Sequence, residues 1–534
     1  MKAFLMFPDR DFDLKGALPL NAEMLVEDLE LGTLFDAMAA GDPFVHDVSR
    51  IAVLAATSAT LNQIRYRQDA LDDALRNPQD MRALYALAGE AMEREKKAYF
   101  GIFRDSPDTI LNRSVEVLDL FIGMLRRLRR LAEAAEPRFR SQAFRRLFAM
   151  LQNELGEDYL AELSAQLDRL KFPEGVLVSA RLGGGNKGID YRLRLPPADK
   201  RLWPLRLLPR ATGGLTLHIH PRDEAGGQAL SALRNKGLAV AARALGQSAD
   251  HILSFFQMLR TEMAFYIGGI NLRDRLMSLG MPLAAPQAVA LDKKIFSCVE
   301  LYDVCLAISM NKPVVGNTIN GDEKALMIIT GANKGGKSTF LRSVGLAQLM
   351  MQSGLFVGAE RFKANIVDGV FTHYKREEDN SMTSGKFDEE LSRMNRLTNS
   401  LTPHALFLFN ESFAATNERE GSQIAEQIVL ALLESGLKVV FVTHLYTFAH
   451  AFDAMRRDDA LFLRAERQND GNRSFQLIEG SPLETSFGED LYARIFGEDM
   501  PRAAGRRFAS SVEDAGGGGR VSGRCQKVSS DLPS

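Results

Sequence analysis

The chain has 534 residues, 46% of them hydrophobic and 25% charged, with a net charge of −2, which excludes a fibrous or disordered protein and leaves room for three or more domains. That near-neutral balance also excludes wholesale attraction to nucleic acid, so any basic surface must be local. Three cysteines (Cys298, Cys305, Cys525) lack metal-ligand spacing and cannot all pair, no apolar run reaches membrane-spanning length, and Met1 to Pro8 is too short and too soon charged for a signal peptide; a cytoplasmic protein without a membrane partner is expected.

From about Leu29 to Phe103 the pattern is helical, broken at Gly41-Asp-Pro43 and Asn77-Pro78. Thr109 to Leu131 is amphipathic, with Leu118, Phe121, Ile122, Leu125 and Leu128 on one side, and a second helix is expected after Pro137, running to about Leu170. The period then falls to two. Gly175 to Ala180 and Ile189 to Leu195 read as strands around the glycine-rich Gly183 to Gly188, and Gly214 to His220 is a third candidate. From Asp223 to about Leu279 the chain returns to helix, and beyond about Gly497 the pattern decays into a tail expected to be disordered.

Two stretches are basic. Between Gly123 and Phe148 eight arginines face two glutamates, but Arg126, Arg127 and Arg130 lie opposite the leucines, as on any solvated helix face. The β-rich tip carries Lys187, Arg192, Arg194, Lys200, Arg201, Arg206 and Arg210 around Trp203, a set suited to neutralising DNA phosphates. His218-x-His220 has no third ligand in view and reads as two exposed positions on a strand, not a metal pair.

The most specific motif begins at Ala325. An apolar strand runs into Gly331-Ala332-Asn333-Lys334-Gly335-Gly336-Lys337-Ser338-Thr339, a full phosphate-binding loop, and helical periodicity follows until Gly354. The glycines free backbone N–H groups for phosphate oxygens. Lys337, expected to point into an empty site in the free protein, would place its charge between the β- and γ-phosphates of ATP, and the Ser338 hydroxyl would serve Mg²⁺. Downstream, His404 to Phe409 is a buried-strand pattern ending at Asn410-Glu411, and Lys438 to Thr443 is another ending at His444. Strand ends of this kind meet at the carboxyl edge of an open α/β sheet, where Glu411 could polarise water and His444 join it. The polar loop before Ser384-Gly385-Lys386-Phe387 leads into a helix start, a second anion-binding geometry.

On these residues the chain resembles the MutS family of ABC-type ATPases: the loop from Gly331 to Thr339, a signature loop like Ser384-Gly385-Lys386-Phe387, and the strand-tip Thr443-His444. Tyr66-Arg-Gln68, Asp250 to Ser254 and Thr485-Ser-Phe-Gly488 extend the likeness to both sides. The resemblance implies ATPase domains facing each other in a homodimer, with Ser384 and Gly385 approaching the nucleotide of the other subunit, and long helical levers ending in a DNA-holding clamp. Members that read mismatches carry two further domains before the core and a Phe-x-Glu wedge; the chain begins almost at the core, so mismatch recognition by that route is not expected. The family's strand usually ends Asp-Glu, whereas Asn410 stands here with Glu411. An amide oxygen lacks the charge that strengthens a bond to a metal-bound water, so metal affinity and turnover should be lower. The loop after Glu411 is also more charged than the family's, and reads either as a subunit contact through Thr416 and Asn417 or as a surface turn.

The expected fold is an α/β P-loop ABC-type ATPase domain with an all-α lever and core bearing a small β-rich clamp. Expected divisions are a helical core over 1–110, levers over 111–300 with the clamp inserted near 172–222, the ATPase domain over 301–500 and a tail over 501–534. The expected function is an ATP- and Mg²⁺-dependent, DNA-binding clamp of the mismatch-repair family, closing around DNA of non-standard structure. The alternative is a nucleotide-gated scaffold that binds a protein and hydrolyses little or no ATP.

Overall fold

Capping signals divide the first third of the chain into short helices. The computed structural model describes residues 1–97, 106–173, 175–194, 218–332, 334–376, 385–467 and 473–483. Helices α1 (Ala22–Asp28), α2 (Leu31–Ala39) and α3 (Pro43–Leu54) come first; Asp42 caps α3 by accepting the Phe44 N–H, and Pro43 opens its first turn. A reciprocal pair, Thr60 with Gln63, starts α4 (Leu61–Arg76), and Pro78 starts α5 (Pro78–Lys97). Ser106 caps α6 (Pro107–Ala135), whose Leu118, Phe121, Ile122, Leu125 and Leu128 are all buried as their spacing predicts.

The single helix expected from Pro137 to Leu170 is two. Pro137 lies in a 3-10 turn; α7 (Gln142–Glu154) begins only after Ser141, and α8 (Glu157–Leu170) follows a break at Leu155-Gly156. There Leu155 turns into the core and Gly156 is extended, while Glu157 and Asp158 supply the acidic first turn that favours a new helix start. The strands β1 (Leu177–Leu182) and β2 (Gly188–Arg194) form an antiparallel hairpin with Leu177 opposite Arg194. The third candidate strand lies outside the described residues except for 218–220, which are not strand, and His220 there accepts the Arg222 N–H in a local turn. Helix α9 (Glu224–Ser278) then runs for 55 residues without interruption.

The inner half of α9 is the spine of the helical core. Residues from Phe255 to Leu276 are largely buried against α2, α3, α5 and α6. Glu262, fully buried, accepts the N–H groups of Leu5 (2.5 Å) and Phe12 (2.9 Å), while Tyr266 and Tyr66 donate their hydroxyls to the carbonyls of Leu5 and Phe4 (2.6 Å each). Burial pushes the Glu262 carboxyl up to about 7, with the backbone donors pulling the other way.

Two sheets follow. β3 (Gln287–Val289), β4 (Phe296–Leu301), helix α10 (Val304–Met310), β5 (Asn317–Asn320) and β6 (Leu326–Thr330) lead to helix α11 (Lys337–Ser353). After it come β7 (Arg361–Asn365), β8 (Val370–Tyr374), α12 (Lys386–Thr398), β9 (Leu406–Asn410), α13 (Glu418–Glu434), β10 (Lys438–Val442), α14 (Tyr446–Ala454), β11 (Ala460–Arg467) and β12 (Arg473–Glu479). The larger sheet has the order β12-β11-β6-β10-β9-β8, parallel except for β12 at one edge; the smaller is β3-β7-β4-β5. Helix α11 is buried on nearly every side. Its Gln348 donates to Asn365 O and to Gln352 Oε1, and Gln352 donates to Val367 O and to Ala56 O of the helical core. Cys298 and Cys305 are buried free thiols.

Removing the Glu262 carboxylate leaves two buried N–H groups without an acceptor, each costing about 1–3 kcal/mol. Glu262→Ala is therefore expected to lower unfolding free energy by on the order of 3 kcal/mol, read as a shifted urea midpoint, and to expose residues 1–12 to limited proteolysis; an unshifted midpoint would refute the bond's role.

Candidate functional site

Strand β6 is buried at all five positions between β10 and β11, so the loop that follows emerges at the carboxyl edge of the parallel sheet. Gly331 (φ +112°) and Gly336 (φ +89°) have left-handed backbones that side chains rarely adopt. Space is short as well. A Cβ on Gly331 would lie 2.9 Å from Ala465 N, and one on Gly336 would lie 2.9 Å from Phe475 O, because the β11–β12 hairpin presses against the loop. The loop ends on the N-terminus of the 17-residue helix α11, which favours an anion there. Asn333 lies outside the described residues.

Lys337 does not reach into open space. It is only 4% exposed, and its Nζ donates to the carbonyls of Gly331 and Ala332 (2.9 Å each), with His444 Nε2 at 3.4 Å. The physical reason is that a buried ammonium needs acceptors, and the loop's own carbonyls are the nearest. The same contacts hold the ammonium under the loop, within reach of any anion cradled by it.

The tips of β9 and β10 complete the cluster. Asn410 ends β9 in register with Val442 of β10 and Tyr374 of β8, and its Oδ1 accepts the Ser338 hydroxyl at 2.8 Å. Glu411 has a left-handed backbone (φ +53°), donates its N–H to Val442 O, and sets Oε1 3.0 Å from His444 Nε2. The hydrogen bond from His444 holds the Glu411 carboxyl below its ordinary range despite partial burial, with the charges of Lys337 and Lys375 acting in the same direction. An ionised, oriented carboxylate beside an anion loop can accept a hydrogen bond from water. Ser338 Oγ and Asn410 Oδ1 are two adjacent neutral oxygens, which fits a magnesium ion that takes one or two protein ligands and completes its shell with phosphate and water. Among the described residues no three His, Cys, Asp or Glu side chains cluster to hold a metal by themselves, so a cation here would depend on phosphate oxygens.

Lys337, Ser338, Asn410, Glu411 and His444 thus lie together, as their positions at the loop and the two strand ends predict. Gly385 caps the start of α12, whereas Ser384 lies outside the described residues. Thr416 and Asn417 both donate to Glu420, and Asn417 accepts the Glu420 N–H, so this charged loop is built as the cap of α13. Lys187, Arg192 and Arg194 sit on the exposed β1–β2 hairpin; Arg192 pairs with Asp190 (3.1 Å) and Arg194 donates to Ser179 (2.9 Å). Lys200 and Arg201, with Trp203, Arg206 and Arg210, lie outside the described residues. Four arginines of the arginine-rich stretch are engaged internally: Arg126 with Glu157, Arg127 with Glu90, Arg129 with Glu133 and Arg138 with Asp80. Missed from the sequence were His373, Glu390 and Ser412, which surround the turn after Asn410; a histidine within the apolar run of β8 was the available signal.

The geometry defines an α/β chain with its site at the carboxyl edge of a parallel sheet, joined to a helical core. Family models extend this: one described as the MutS2 N-terminal domain matches residues 59–279, and one described as MutS domain V matches residues 327–496. The chain belongs to the MutS family. It is 37% identical over 132 residues to "Endonuclease MutS2" of Thermus thermophilus, covering 24% of this chain and 18% of that protein. It is 32% identical over 162 residues to "MutS protein homolog 4" of Mus musculus (30% and 16%), and 33% identical over 141 residues to "DNA mismatch repair protein MutS" of Chloroflexus aurantiacus (26% and 15%). The matched stretches span less than a fifth of each of these relatives.

Asn410→Asp keeps an acceptor for the Ser338 hydroxyl and adds a charge where a cation would sit. Half-saturation of nucleotide binding by Mg²⁺ is expected at a several-fold lower concentration, since even at an effective dielectric near 20 the added attraction is on the order of kcal/mol. Superimposable magnesium titrations of variant and parent would remove Asn410 from the metal's surroundings.

Proposed function

We propose that this chain is an ATP-dependent, DNA-binding clamp of the MutS type, an ABC-type ATPase that works as a homodimer and closes around DNA of non-standard structure. One observation carries the reading: a glycine loop on a helix N-terminus, with Lys337 beneath it, converges with Ser338, Asn410, Glu411 and His444 at the tips of adjacent parallel strands. The loop and Lys337 would bind the β- and γ-phosphates. Ser338 and Asn410 would hold Mg²⁺, which when bound screens the phosphate charge. Glu411, kept ionised by His444, would orient the attacking water and draw on its proton. The helix start at Gly385, with Ser384, would face the second subunit's nucleotide. In this reading residues 1–110 are the core, 111–300 the levers and clamp, 301–500 the ATPase domain and 501–534 a tail. Nucleotide-dependent closure can bias the levers only by the differential affinity of ATP for the open and closed states.

The test is a pair of variants. Lys337→Ala should lose ATP affinity by about two orders of magnitude, whereas Glu411→Gln should keep it and slow phosphate release by about two to four orders, accumulating dimer in the presence of ATP. A parent that binds ATP without releasing phosphate would replace the enzyme by the scaffold alternative. For the clamp, DNA binding should weaken similarly across sequences when Lys187, Arg192 and Arg194 are neutralised together. The slope of log affinity against log salt should flatten by about one unit per lost phosphate contact. An unchanged slope would move the DNA surface off the hairpin.

A further inference from the structure

The turn that presents Glu411 is held from behind by groups that do not touch the site. Glu411 (φ +53°) and Phe413 (φ +63°) both have left-handed backbones, unfavourable for residues with a Cβ, and Ser412 lies between them. A turn of this kind persists only where its surroundings over-determine it. Here they do. The Phe413 N–H donates to Glu390 Oε1 at 2.7 Å, and the Ser412 hydroxyl donates to His373 O at 2.5 Å. His373 Nδ1 lies 2.8 Å from Ser412 Oγ, its ring stacks on Phe413 with 5.3 Å between centroids, and Arg393 Nη2 is 3.4 Å from its Nε2. With the Ser412 hydroxyl donating to His373 O, Nδ1 is the donor toward Ser412 Oγ, while Nε2 faces both Arg393 Nη2 and, at 3.2 Å, the Glu390 carbonyl. Burial, and then the Arg393 charge, push the imidazole down to about 3, so it stays neutral. All three supports are buried, in a region otherwise packed with phenylalanine.

We infer that Glu390 is a positioning residue for Glu411: by accepting the Phe413 N–H it locks the 411–413 turn in the form that sets the Glu411 carboxylate against His444. Glu390 lies on α12, little more than one turn beyond Gly385, so the helix that carries the signature-like loop also fixes the carboxylate on the neighbouring strand. This inference rests on Glu411 acting in ATP hydrolysis, as proposed above.

The experiment compares Glu390→Gln, which keeps an oxygen acceptor, with Glu390→Met, which removes it at similar size, using steady-state ATPase kinetics and binding of a fluorescent ATP analogue. Glu390→Gln is expected to retain kcat within about threefold. Glu390→Met is expected to lose kcat by about ten- to a hundredfold, the scale of a small misplacement of a reacting group, with KM and analogue affinity unchanged within about twofold. Should Glu390→Met not fold, Ser412→Ala removes the opposite support of the same turn and should lower kcat about three- to tenfold with KM again unchanged. A folded Met variant with parental kcat, a Gln variant as slow as Met, or an Ser412→Ala variant at parental kcat would overturn the inference. A parent that binds the analogue but releases no phosphate would overturn the hydrolysis reading and this inference with it, whereas parental turnover with unaffected variants would sink the inference alone.

Discussion

Helix α11 has almost no solvent face, and the rest of the molecule is arranged around that fact. A helix buried all round must satisfy every polar side chain internally, and Gln348 and Gln352 do so by bonding to Asn365, Val367 and Ala56, which belong to the strand layer and to the helical core. The helix that begins at the glycine loop is therefore bonded to both halves of the chain. Arg342, on the same helix, reaches Asp303 and Glu30, so a second polar tie leaves it toward the end of α10's cap and the loop before α2. A shift at the loop cannot be absorbed by α11 alone, since close-packed interiors pass displacement on.

How much of this was legible in the residues depended on whether the signal was local. The strand, glycine loop and helix at 326–353 announce themselves because positive-φ glycines, a lysine and an apolar run must sit in consecutive positions. Glu411 and His444 could be paired with the loop because parallel strands all end at one edge. The α7–α8 break is marked in the sequence only by Gly156 and the acidic pair Glu157-Asp158, which also suits a solvated helix face, and the burial of Leu155 that fixes the bend comes from tertiary packing. Lys337 was expected in open space; its contacts with Gly331 and Ala332 arise from folding the loop over its own helix and leave no trace in residue order. Glu390, His373 and Ser412 were hidden for a related reason. They lie on three separate segments: the β8–β9 register brings His373 beside the turn, and the packing of α12 brings Glu390 to it.

Crowding around the loop adds a second constraint. Ala465 and the Phe475 carbonyl approach the loop glycines so closely that no side chain fits at 331 or 336, so the antiparallel edge hairpin acts as a wall behind the anion site. Edge strands are ordinarily exposed to unwanted pairing, and here β12 lies antiparallel beside β11 and also packs near β5.

The uninterrupted length of α9 has a geometrical consequence. Between Glu262, where the helix is anchored by the N-terminal segment, and Glu224 at its far end lies a rod of roughly 57 Å at 1.5 Å per residue. A tilt of about five degrees about that anchor sweeps the far end through about 5 Å, the length of one helical turn. The gain has a counterpart in noise, because the same arm magnifies thermal bending, and Gly226, Gly227, Gly237 and Gly246 all fall in its outer part, where glycine weakens a helix. The hairpin β1–β2 braces that outer part: Val178 packs so tightly on Gly237 that an added Cβ would lie 2.5 Å from it. The arm is thus stiffened by contact at one of the glycines that soften it.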